Sequence, residues 1–209
     1  MQAQPVERWT PERRRALTRD TLVSSAAAVF ARRGYEGASL EEIADAAGFT
    51  RGAIYKNFGG KEDLFFAVAD RDFTERLRTL SERLAHQHEF GPADLAALWR
   101  ETVIGSTDDL ALHMEVRLYA LRKPAVKARL AEHQRTTRTT LAAFITEQTD
   151  AVGFDLTIPA TTFAGLLDSA TWGIAESCAI DEGDTALLDE FFALVVPAAC
   201  TERPVRSSS

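Results

Sequence analysis

Apolar residues recur at three- and four-residue spacing along almost the whole chain, and no stretch sustains the alternation of a half-buried strand. The spacing predicts a first helix from about Pro11 or Glu12 to Arg33, with Leu22, Val23, Ala26, Ala27 and Phe30 as its apolar stripe. Thr10 suits the cap and Pro11 the first helical position, while Gly34 suits a left-handed stop. Ser39-Leu40-Glu41-Glu42 has the form of a capping box and opens a short helix with Leu40, Ile43, Ala44 and Ala47 inward. Gly48 ends that helix, Phe49 is expected to anchor the turn in the core, and Thr50 suits the cap of a second short helix with Ile54 and Phe58 on one side. Gly59-Gly60 breaks it. A long amphipathic helix follows from Lys61, burying Leu64, Phe65, Val68, Leu77, Leu80 and Leu84. Further helices are predicted near 92–105, 108–121, 124–151, 157–180 and 184–200.

The pattern predicts an all-α protein. An N-terminal three-helix unit of helix-turn-helix form occupies residues 1–60, and a helical body occupies 61–202. The polar tail, 203–209, is expected to be disordered. With 209 residues, 45% of them hydrophobic, the chain can fill one ordinary core and a small extra module. No apolar run approaches the roughly 20 residues of a membrane span, and the first fifteen residues lack the apolar stretch of a signal peptide. Cys178 and Cys200 both fall in apolar segments and provide no disulfide framework. These features point to a reduced, cytoplasmic compartment.

Charge divides the chain. The net charge of -7 hides ten basic and seven acidic residues through Lys61, against fourteen basic and twenty-four acidic residues beyond it. A basic head on an acidic body suggests that only the head meets a polyanion. The stretch Phe49–Leu64, FTRGAIYKNFGGKEDL, names the element. With Ile54 and Phe58 inward, Arg51, Gly52, Tyr55 and Lys56 fall on the outer side. Arg51 has the donors to read a guanine edge; Tyr55 and Lys56 suit phosphate oxygens. Gly52 costs roughly 1 kcal/mol of helix propensity relative to Ala, which makes sense where a backbone must come close to its target. Ser39 and Thr50, at two helix starts, suit the flanking phosphates, as does Lys61 at the start of the next helix. Arg8, Arg13, Arg14 and Arg15 add nonspecific attraction.

Residues 17–66 resemble the N-terminal signature of the TetR family of bacterial transcriptional regulators, in the Ala/Phe stripe, the aromatic after Gly34, S-L-x-x-I-A-x-A-A-G, G-A-I-Y-x-x-F and K-E-x-L. The resemblance covers roughly a quarter of the chain. It implies an all-α homodimer whose heads bind a palindromic operator and whose bodies carry a dimer interface and a small-molecule pocket. It implies that Thr50, Arg51, Gly52 and Ala53 form the base-proximal start of the recognition helix, with Tyr55 and Lys61 on phosphate. Asn57 departs from the frequent His at its position, although its amide can still reach a phosphate. The family's habit is repression relieved by a ligand.

The body offers candidates for both remaining roles. Leu187, Leu188, Phe191, Phe192 and Val195 cover more than one face of the last helix, and Gly165, Ser169 and Gly173 allow close approach on the preceding one, so these two helices are expected to form a dimer interface. Trp99, His113, Met114, Arg117, Phe144, Phe163 and Trp172 are the candidate lining of a pocket for a largely apolar effector. His113 and Arg117 share a helical face and suit a polar group on it. An enzyme is not expected: His86 and His88 do not share a helical face, nor do His113 and Glu115, and phosphate-loop and nucleophile-elbow motifs are absent. No metal or cofactor is expected. A helical small-molecule-binding or adaptor protein without DNA affinity is the alternative.

Overall fold

The computed structural model describes residues 10–86, 92–104, 106–181 and 186–203. It divides into two compact units, Met1–Ala69 and Asp70–Ser209. The His88 and Arg8 considered above lie outside the described residues, as do positions 204–209 of the tail.

In the first unit, α1 (Pro11–Gly37) starts as the sequence implies, with Thr10 Oγ1 accepting from the Arg13 amide at 3.2 Å. Gly34, at φ +71°, breaks the helical path, and the chain continues to Gly37 beyond the kink. That detour turns Tyr35 inward. It stacks on Phe30 at 5.9 Å, and both rings meet the edge of Phe65 at 5.3 and 5.5 Å. Ser39 caps α2 (Leu40–Ala47) by accepting from the Glu42 amide at 3.1 Å. The expected return half of the box gives way to a tertiary pairing: the Glu42 carboxylate accepts from Arg32 at 2.8 Å and Arg33 at 3.2 Å, and so ties α1 to α2. Gly48, at φ +71°, makes the turn into α3 (Arg51–Phe58). Phe49 does not anchor that turn, being 36% exposed; Ile43, Ala44, Ile54 and Phe58 already close the core beneath it.

The next helix, α4 (Lys61–Ala85), runs through the boundary between the units. The division falls after Ala69 rather than at the start of this helix. Its first two turns bury Leu64, Phe65, Phe66 and Val68, and Phe65 belongs to the aromatic cluster of the head.

The second unit contains α5 (Pro92–Trp99), a π-helical turn at Arg100–Ile104, α6 (Thr107–Arg122), α7 (Pro124–Val152), β1 (Phe154–Leu156), α8 (Ala160–Ile180), α9 (Ala186–Ala199) and β2 (Cys200–Glu202). Ser106 and Asp109 form a reciprocal capping box at the start of α6. The core gathers Leu77, Leu80, Trp99, Leu141, Phe163, Leu167, Leu188 and Phe192. Two short antiparallel strands are an addition to the all-α expectation. Gly153, at φ +80°, ends α7 and turns the chain so that Asp155 lies opposite Thr201. Arg203, the first residue of the expected tail, is held by Asp150 and Asp155. Both cysteines are partly buried, and neither forms a disulfide among the described residues. Among the described residues, no helix is long and apolar enough to cross a membrane.

Candidate nucleic-acid interface and body sites

The eight residues of α3 sort as the spacing implies. Ile54 and Phe58 are buried, and Arg51, Gly52, Tyr55 and Lys56 are exposed. Two turns cannot hold a helix on propensity alone, so tertiary contacts fix this one. Arg19 of α1 closes its far end: the guanidinium donates to the Asn57 carbonyl at 2.9 Å and lies 4.2 Å from the centre of the Phe58 ring. The outer face is thereby presented on a braced element.

Arg51 is tied at both ends of its fork. It forms an ion pair with Glu41 of α2 and donates to the Tyr55 hydroxyl at 3.3 Å. The Tyr55 bond, then the Glu41 charge, hold the guanidinium pKa above its ordinary value. Tyr55 accepts from Arg51, which leaves its own hydroxyl proton to give elsewhere. Gly52 has helical backbone, and a Cβ there would meet Thr50 Oγ1 at 3.6 Å, ordinary contact. The fold therefore tolerates a side chain where the sequence has none.

Other candidates are placed less openly. Thr50 occupies the cap position, yet its hydroxyl makes no capping bond among the described residues, which leaves it available. Ala53 is partly exposed beside it. Ser39 spends its oxygen on α2. The Asn57 amide donates back to the Ala53 carbonyl at 2.8 Å, and the Lys61 ammonium donates to the Glu36 carbonyl at 3.2 Å and sits 4.7 Å from the Tyr35 ring. A phosphate would have to draw both from these contacts.

The body candidates separate into core and non-core. Trp99 is buried, donates to Thr171 Oγ1 at 2.9 Å and contacts Phe192; Phe163 is buried with them and Phe144 packs on the same core. Met114 is 43% exposed. His113 and Trp172 stack face to face, 3.5 Å between centroids and 11° from parallel. Neither His113 Nε2 nor Arg117 Nε has a partner among the described residues, although both atoms are buried. Burial, helped by the charges of Arg117 and His133, lowers the His113 pKa to about 3. Nearby Asp168, which the sequence reading missed, has its pKa raised by burial against the opposing pull of Arg117 and a hydrogen bond from Trp172. A carboxylate in the middle of an apolar helix (Leu166, Leu167, Asp168) was the available signal.

The expected dimer residues also divide. Leu188 and Phe192 belong to the core of their own chain, and Phe191 and Val195 pack partly against it. Arg138 covers Gly165, where a Cβ would meet its Nε at 2.8 Å. Ser169, Gly173 and Leu187 are exposed, and beside them Leu166, Ile180 and Leu194 are 56%, 76% and 73% exposed. These last three extend the candidate set.

Residues 22–68 match the model of a family described as bacterial regulatory proteins, tetR family. The chain is 30% identical over 117 residues to the HTH-type transcriptional repressor AcnR of Corynebacterium efficiens, a match covering 56% of this chain and 58% of that relative. Against AcnR of Corynebacterium jeikeium the identity is 26% over 171 residues, 80% of this chain and 85% of the relative. The chain thus spans little more than half the length of the Corynebacterium efficiens relative. A crystal structure of a TetR-family transcriptional regulator from Rhodococcus sp. shares the fold with a TM-score of 0.68 at 16% identity, covering 89% of this chain and all of that one.

Proposed function

We propose that this chain, whose residues 22–68 match the model of the tetR family of bacterial regulatory proteins, is a transcriptional regulator of that family, in the repressing sense, which binds a palindromic operator as a homodimer and leaves it when a small molecule binds the body. The observation that carries the reading is the outer face of α3: a cation, a bare backbone, a phenol and a second cation on a helix whose other face is locked into a core.

A major groove about 12 Å wide admits such a helix. Arg51, in its first turn, takes the base-reading role, while Tyr55, Lys56 and Thr50 take phosphate oxygens. Gly52 lets the backbone approach the base edges. One head offers a small contact, and two heads about 34–36 Å apart would engage successive grooves on one side of the duplex. The exposed apolar side chains of α8 and α9 supply the contact between the two chains in this reading. Leu166, Ser169, Gly173 and Ile180 lie along one side of α8, with Leu187 and Leu194 on α9.

Effector control needs a ligand with different affinity for two arrangements of the body; tight binding to both alters nothing. The His113–Trp172 stack with Arg117 and Asp168 is the proposed polar end of that site, because two of its buried atoms are still unmatched. An otherwise apolar molecule with one polar group fits this description. The helix α4, continuous across the boundary between the units, is the proposed carrier of the change.

Selection of bound duplexes from a random pool tests the reading. The expected product is an inverted repeat whose affinity falls steeply with salt. Recovery of no sequence, together with no salt-sensitive binding to any duplex, would overturn it.

A further inference from the structure

An acidic residue stands on the face assigned to DNA. Glu41, in the first turn of α2, holds Arg51, in the first turn of α3. Both side chains are about half exposed, so the pair adds little to folding stability. A carboxylate beside phosphates also repels them. Stability and affinity therefore both fail to explain it.

The other acid nearby is accounted for. Glu42 is occupied by Arg32 and Arg33 of α1, and their hydrogen bonds lower its pKa. Glu41 faces α3 instead. It balances a cation that the positive end of the α3 dipole disfavours. Together with the Tyr55 hydroxyl it fixes the plane of the guanidinium from two sides. A guanidinium has five N–H donors, and these two contacts engage one on each terminal nitrogen. Donors remain for the paired acceptors of a guanine edge.

We propose that Glu41 is a specificity-determining positioning residue, one that orients Arg51 for a base edge and keeps it from settling on phosphate. Off the operator, Arg51 stays neutralised by Glu41, and the head gains one fewer phosphate contact on arbitrary duplex. On the operator, a guanine offers two acceptors in the plane that Glu41 and Tyr55 have set. Discrimination rises because the wrong complex is weakened more than the right one. The inference rests on the DNA-reading role proposed for α3.

The test uses the full chain as wild type, Glu41→Gln, Arg51→Ala and the double variant. Each is titrated against a duplex recovered from the random pool, its single-pair variants and a scrambled duplex, with thermal unfolding as the folding control. Glu41→Gln is expected to bind the scrambled duplex roughly two- to fivefold more tightly, the effect of removing one like charge at this range. Preference for the guanine read by Arg51 should fall several-fold at the same time, and in the Arg51→Ala background Glu41→Gln should no longer alter any base preference. Equal changes for every duplex, or no change, would overturn the positioning role while leaving the regulator reading intact. Failure of the wild type to bind any duplex would overturn the regulator reading, and this inference with it.

Discussion

His113 lies against Trp172 with a buried ring nitrogen that has no partner among the described residues. Its pKa, lowered to about 3, means that the folded chain keeps the imidazole neutral while the unfolded chain takes a proton below about pH 6.5. The unfolded state then binds more protons, so stability present above pH 6.5 is lost as pH falls toward 3. Between pH 7 and pH 5 this residue should remove up to about 2 kcal/mol of unfolding free energy. His113→Phe keeps a ring on the indole and should flatten that part of the pH dependence, measured by urea unfolding at both pH values; an unchanged slope would count against the assigned burial. Gly48 is a second test at this scale. An added Cβ meets nothing within 4 Å, so Gly48→Ala carries only the strain of φ +71°. A loss of about 1–2 kcal/mol in thermal or urea unfolding is expected, with the fold retained.

At the scale of elements, α3 makes opposite demands on stability and binding. Gly52→Ala should raise unfolding free energy by about 0.5–1 kcal/mol, because the site is helical and exposed and an added Cβ makes only ordinary contact. The same methyl group should weaken duplex binding by about 1–3 kcal/mol where backbone meets base edge. A variant that is more stable and binds equally well would remove the reason offered for this glycine. The sorting of α3 was legible in the sequence because Ile54 and Phe58 are four apart and two glycines bound the element. The starts of α1 and α2 were legible for the same local reason, in Thr10-Pro11 and Ser39. What the sequence hid was tertiary. The Glu42 carboxylate takes Arg32 and Arg33 in place of the local backbone amide that a capping box offers it. Three-residue strands are too short to alternate visibly, and β1 and β2 exist because Gly153 turns one toward the other. Phe49 looked like an anchor by type alone, and only packing revealed that the core was already full.

At the scale of the whole molecule, the apolar helices of the body had two possible uses, core and interface, and spacing could not divide them. Burial does. Leu188 and Phe192 serve the chain itself, whereas Leu166, Ile180, Leu187 and Leu194 leave large apolar groups in water. Leu166→Glu with Leu194→Glu should abolish self-association in sedimentation while unfolding changes little, within about 0.5 kcal/mol per exposed site. Operator affinity should fall by about 10²–10⁴, since the second head no longer arrives at high effective concentration. Persistence of a dimer would move the interface to another face.

The central claim, that the outer side of α3 lies against base pairs, is tested most directly with Arg51→Ala on the duplex recovered by selection. Fluorescence anisotropy, at two salt concentrations, should show an affinity loss of about 1–3 kcal/mol and little remaining preference at one base pair, with thermal unfolding unchanged. Undiminished affinity and unchanged base preference in a folded Arg51→Ala protein would contradict it.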